Sequence, residues 1–390
     1  MALNRRHFLA ASIALPASLR ALAQPHAAQP HADAARYVLL GTNTGAGISR
    51  AAWNPQTGEL GQPELAIAAT HPIFFAMHPR LPVLYTTNET TGPGAAITAY
   101  RLDRTKASLT LLNRISSQAD GPCFVSVDRT GRMAFAADYA GGGFAAYRLA
   151  SDGSLASVAG KLLCAGNPVC GTLGPNKDRQ DAPHLHCATV SPHNDFVLAC
   201  DLGDDNVQVF PISAAQQKLG APTRIVCRAG SGPRHIAFHP NGRWAYIVHE
   251  LDCTVDLYDW SVHEGKPQMR LRPQSVVSTL LPQTPLTGNT GCEVIVSESG
   301  RFVYTCTRGI DQVIVYAVNA QTGLLTEQQR ISSGGKIPRM ISFDPTRKWL
   351  LCSNQGSSNV AVLAHEPHTG KLTSTSTSID VDTPMCVEFV

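Results

Sequence analysis

The sequence predicts an all-β chain: a seven-bladed β-propeller in one domain, closed by pairing its C-terminal strand into its N-terminal blade. Three observations predict it. One short frame recurs along the chain, as in Gly232–Glu250 and Gly291–Arg308: an alternating apolar strand, a tight turn with Gly or Pro, and a second apolar strand. Its spacing of about 45–60 residues suits a propeller blade. The segments between copies lack the helical crossovers that a parallel sheet requires.

Taken in order, the first element is the strand Arg36–Asn43, which has no partner before it. First strands then open near Ile73, Cys123, His186, Arg234, Cys292 and Arg339, inside the frames His71–Glu89, Gly121–Tyr139, Pro183–Leu202, Gly232–Glu250, Gly291–Arg308 and Ile337–Gln355. Third strands follow at Val207–Phe210, Val255–Tyr258, Val313–Tyr316 and Val360–Leu363. Turns such as Ser151–Ser154 and Gln321–Leu324 lead to a fourth. The last element, Met385–Phe389, is a first strand with no second strand after it. It supplies what the N-terminal blade lacks, and closure removes the exposed edges of an open sheet.

The residues ahead of the propeller read as an address. Asn4-Arg5-Arg6-His7-Phe8-Leu9 is a twin-arginine pattern, an apolar run extends to about Leu19, and Ala21-Leu22-Ala23 offers a small-residue cleavage site. The expectation is a signal peptide over 1–23, a flexible leader over 24–35 and the propeller over 36–390. The twin-arginine export machinery would then deliver a periplasmic protein with no membrane insertion after signal cleavage. The chain carries 32 basic and 29 acidic residues, and removing Arg5, Arg6 and Arg20 leaves the two balanced. A neutral protein has no footprint for a phosphate backbone, which argues against nucleic acid as a partner. Eleven cysteines without a CxxC pair form no metal or redox signature. Cys164 and Cys170 share one loop and could pair.

Blade geometry places a site before any relative is invoked. The start of each first strand and the end of each second strand lie on one face and ring the channel mouth. Aligning the copies gives a first ring of Ile73, Cys123, His186, Arg234, Cys292, Arg339 and Met385. The second ring is Asn43, Glu89, Tyr139, Leu202, Glu250, Arg308 and Gln355. Polar groups concentrate in a few blades: His186, Arg234, Glu250, Arg308 and Arg339, with Glu89, Asn43 and Gln355 nearby. Converging arginines ask for a carboxylate or a developing oxyanion, and a Glu or His among them can move a proton. A structural ion pair between Arg234 and Glu250 is the bland alternative.

Other motifs carry less. His184 and His186 form an H-x-H pair without a third ligand at a metal-site spacing. Asp201–Asp205 could be a calcium loop but reads better as a tight strand connection. Gly141-Gly142-Gly143 lacks the following helix of a phosphate loop. His78, His193 and His239 fall at turns on the opposite face and are expected to face solvent.

With these segments in view, the chain resembles the lactonase family of seven-bladed propellers from Tyr37 to Val390. The resemblance rests on Ala137–Gly143, Arg179–His186, Asp201–Asp205, Gly230–His235, His249–Leu251, Thr307–Gly309 and Gly334–Arg339. It implies catalytic roles for His186, Arg234, Glu250 and Arg308, the four that the blade alignment also selects. His184, Arg339, Glu89, Gln355 and Asn43 are expected to bind substrate. The family commonly has Asn where Asp138 stands. The activity implied is hydrolysis of a sugar-derived lactone, glucono-1,5-lactone or a (6-phospho)gluconolactone, with no metal or organic cofactor. A carboxy-muconate-type cycloisomerase and a non-catalytic binding propeller are the alternatives.

Overall fold

The computed structural model describes residues 36–390, and the expected signal and leader lie outside them. Thirty-one short strands form seven antiparallel sheets arranged as blades. Blade 1 joins the two ends of the domain, with Pro384–Phe389 innermost, then Tyr37–Thr42 and Ile48–Asn54. Its closing register pairs Val38 with Phe389 and Leu40 with Val387. Blades 2 to 7 follow in chain order, each running from the channel outward, with inner strands at Phe75–Met77, Pro122–Val127, Thr189–Val190, Pro233–Phe238, Thr290–Val296 and Pro338–Phe343.

The sequence of each blade explains its layering. Second strands such as Met133–Asp138, Phe196–Asp201 and Trp244–His249 are buried at every position. Neighbouring blades cover both of their faces, so both sets of alternating side chains meet protein. Outer strands such as Leu372–Asp380, a Thr/Ser alternation, are largely exposed. Between blades 2 and 3 the interface packs Val83, Tyr85 and Ile97 against Val125, Ala134 and Tyr147.

Repeated polar latches tie one blade to the next. The hydroxyls of Tyr85, Tyr246 and Tyr304 donate to the carbonyls of Gly153, Gly323 and Gly370 in the following blade, at 2.6, 2.7 and 3.1 Å. A buried phenol needs such an acceptor. Gly323 is required there because its φ is +74° and a Cβ would stand 2.7 Å from the Trp244 ring.

Two histidines expected to face solvent act as latches instead. His78 is buried and its Nε2 donates to the Gly131 carbonyl at 3.0 Å, while Nδ1 accepts from the backbone of Leu81. His239 is half-buried and bonds the Gly300 carbonyl at 2.8 Å. A His-Pro turn can thus reach the adjacent blade, which a single-blade pattern does not reveal. His193 is exposed as expected.

Blade 4 departs from the repeat. Its inner strand is only Thr189–Val190, and His186 sits just ahead of it on irregular chain. Backbone bonds still pin that chain, His186 N to Cys200 O at 2.8 Å and Leu202 N to His184 O at 2.9 Å. Cys164 and Cys170 are bonded as a disulfide at the start of the long loop before it. Asp201–Asp205 is a strand connection, with Asp201 Oδ1 accepting from the backbone of His184 and Gly203.

Candidate active site at one channel mouth

Both rings form as blade geometry requires. A small cavity of about 20 Å³ lies at the channel axis, lined by Ile73, Cys123, His186, Arg234, Arg339 and Met385, together with Phe74 and His235. That is space for roughly one water molecule. The second ring stands around it, since Arg308 ends its strand and the other members lie one residue beyond theirs.

Glu250 is the electrostatic centre. Its Oε2 accepts from Arg234 Nε at 3.1 Å and from Arg308 Nη2 at 2.8 Å, and its Oε1 accepts from Arg179 at 2.5 Å. Burial alone would raise this carboxyl, but Arg308, Arg234 and Arg179 hold it well below the ordinary carboxylate range. Both of its oxygens are committed, so it is a weak base and a strong anchor. Arg234 and Arg308 also donate to the Cys292 and Gly291 carbonyls, which fixes two guanidinium planes with respect to the axis.

His186 has the opposite character. Burial, then the charges of Arg234 and His235, push its imidazole well below the usual histidine range. It is therefore neutral at neutral pH. Nδ1 lies 3.9 Å from Cys123 Sγ, and Nε2 has no protein partner among the described residues. Arg339 lines the same cavity without a carboxylate at ion-pair distance among those residues, and its Nε is buried without a hydrogen-bond partner. Burial, Arg308 and Arg234 all depress its guanidinium. A cation so placed favours an incoming anion.

The remaining sequence-selected residues frame the rim. Glu89 is half-buried, and its carboxyl is raised by burial and lowered by the Arg339 charge. Asn43 Oδ1 meets His71 Nδ1 at 3.0 Å, and Gln355 opens a short 3-10 turn. His184 stacks on Tyr139, ring centres 4.4 Å apart, with Nδ1 donating to the Tyr139 carbonyl and Nε2 facing Asp181. Its ring nitrogens are thus taken up in holding the rim. Among the described residues no three His, Cys, Asp or Glu side chains converge as a metal site.

Sequence reasoning missed Arg179. It arrives from the long loop before blade 4, which belongs to no blade frame and so escaped the alignment. It bridges Glu250 and the Tyr139 hydroxyl, and its side chain is 38% exposed where that of Glu250 is 3%. Asp138, where the resembling family commonly has Asn, is pushed up to about 9 by burial. It is a neutral acid at pH 7, electrically equivalent to Asn.

Comparison with known proteins agrees with this architecture. The family model described as "Lactonase, 7-bladed beta-propeller" matches residues 37–389. A Bacillus subtilis protein named 6-phosphogluconolactonase is 32% identical over 334 residues, covering 85% of this chain and 90% of the relative. The solved periplasmic gluconolactonase of Pseudomonas aeruginosa superposes with a TM-score of 0.81 at 28% identity, covering 91% and 98% of the two chains. A putative 6-phosphogluconolactonase from Bacteroides fragilis has the same TM-score at 26% identity, covering 92% and 98%. Matched over residues 37–389, the chain belongs to the lactonase family of seven-bladed β-propellers.

Proposed function

We propose that this lactonase hydrolyses a sugar-derived lactone, glucono-1,5-lactone in the first instance, at the arginine-lined mouth and outside the cytoplasm. The observation that carries the reading is Arg339: a half-buried guanidinium, its Nε buried, with no carboxylate at ion-pair distance among the described residues, sharing a water-sized cavity with the neutral imidazole of His186. The names of the relatives support the substrate class. The twin-arginine pattern supports export, and export favours the unphosphorylated sugar.

In this mechanism His186 accepts a proton from the attacking water as the water oxygen bonds the lactone carbonyl carbon. Charge develops on the carbonyl oxygen, where Arg339 and Arg234 meet it. The ring C–O bond then breaks, and the leaving oxygen takes the proton back from His186. The product is a hydroxy carboxylic acid, which loses its acid proton to solvent, and its carboxylate faces the same guanidinium groups. Glu250 stays ionised and holds Arg234 and Arg308 in place. Arg179 covers the Glu250 carboxylate from the solvent side, so admission of a sugar ring requires its displacement.

The test is acid release from glucono-1,5-lactone in a pH-stat, beside ultraviolet loss from a carboxy-muconate. Acid release well above the buffer blank supports the hydrolase. A response only to the muconate assigns lactone closure instead, a reaction whose dicarboxylate would also suit the arginines.

A further inference from the structure

The channel has a second mouth that the proposed chemistry does not use. There all seven blades enclose a cavity of about 580 Å³, a size typical of small-molecule sites. Its walls are aromatic: Phe74 and Phe124 stack with ring centres 4.1 Å apart, and Phe238, Phe343 and Phe389 continue the lining.

Two carboxyl groups face this space on the inner strands, and they differ. Glu293 is partnered, accepting from His235 Nδ1 at 2.9 Å and from the Val294 amide at 2.9 Å. Glu388, from the closing strand of blade 1, has no hydrogen-bond or ion-pair partner among the described residues. Burial pushes its carboxyl up to about 7, and Arg104, the opposing charge, is exposed and makes no ion pair with it. At the rim Glu298 pairs with Arg347 at 2.9 Å. Burial lowers His235 and His365, so both are neutral above pH 7. With Glu388 ionised, three carboxylates then face one guanidinium across an apolar cavity.

We propose that this mouth is a binding site for a small organic ammonium ion, its charge against Glu388 and its apolar part against the phenylalanine wall. An organic anion would meet the carboxylate excess, and a neutral apolar molecule would bury Glu388 still unpaired. An ammonium ion relieves that cost and gains from the aromatic faces. The occupant is thus opposite in charge to that of the first mouth.

Isothermal titration with 2-phenylethylammonium at pH 8, where Glu388 is mostly ionised, tests the assignment, with phenylacetate as the charge-reversed control. The expected result is saturable one-site binding of the amine and none of phenylacetate. Glu388→Gln should weaken the amine at least about tenfold, and Ser342→Trp, which fills the cavity while keeping the carboxylate, should abolish binding. Absence of saturable binding, equal binding of phenylacetate, or full affinity in either folded variant overturns the proposal. If Glu388→Gln does not fold, Ser342→Trp decides the matter. The readout contains no lactone, so it stands apart from the reaction assigned to the other mouth.

Discussion

The two mouths of one channel share a backbone and differ in almost everything chemical. One is tight, about 20 Å³, and gathers Arg179, Arg234, Arg308 and Arg339 around Glu250 and His186. The other is wide, about 580 Å³, and sets a carboxyl unpaired among the described residues against phenylalanines. Cavity size alone would choose the wide mouth as the reactive one. Charge favours the tight mouth in the proposed reaction, because opening a lactone creates an oxyanion and then a carboxylate, and cations suited to both stand there. The repeat fixes where side chains point, and only their identities set the two mouths apart chemically.

Substitutions break that contrast in a definite order. The largest effect falls on His186: replacement by Asn keeps size and polarity but removes the base, and should lower kcat by about 10²–10⁴. The same residue predicts the pH profile. In the proposed mechanism it acts when deprotonated, and its ordinary value of 6.5 is strongly lowered. The acid limb of kcat/KM, corrected for the blank, therefore falls well below pH 6.5. A limb at or above 6.5 would remove His186 as the base.

Next comes Glu250→Gln, which leaves the buried Arg234 and the half-buried Arg308 without counter-charge. Chemical denaturation should show a loss of about 3 kcal/mol at pH 7. Because the folded carboxyl is depressed, its stabilisation is present above the unfolded value near 4.5 and fades as pH falls further.

Asp138→Asn should act in the opposite direction. A folded carboxyl raised to about 9 costs stability as pH climbs from the unfolded value near 3.8 toward 9. The substitution should thus gain at least about 1 kcal/mol at pH 8 and little at pH 4. Arg179→Ala comes last: opening the rim should change KM more than kcat, by about tenfold or less, since Arg179 is partly exposed and solvent screens its contacts there.

What the sequence revealed follows the same division. Six of the seven first-ring positions line the small cavity, because strand alternation and a fixed turn carry a residue's position from one blade to the next. The closing strand was legible for the same reason. Arg179 was not, since its loop has no counterpart in other blades. The inner strand of blade 4 is shorter than the repeat implies, and His186 keeps its place through its backbone bond to Cys200 and that of His184 to Leu202. The wide mouth was invisible because Phe124 and Phe343 read as core in any strand pattern. Glu388 became conspicuous only when its surroundings proved apolar.

If the arginine-lined mouth performs the reaction, Arg339 is the sharpest place to look, since among the described residues it makes no ion pair whose loss would disturb the fold. Wild type and Arg339→Gln should be compared by pH-stat hydrolysis of glucono-1,5-lactone, with near-ultraviolet circular dichroism as the check on folding. The expected result is an unchanged spectrum and a fall in kcat of roughly two orders of magnitude. A folded Arg339→Gln protein that hydrolyses the lactone at the wild-type rate would contradict it and move the reaction away from this mouth.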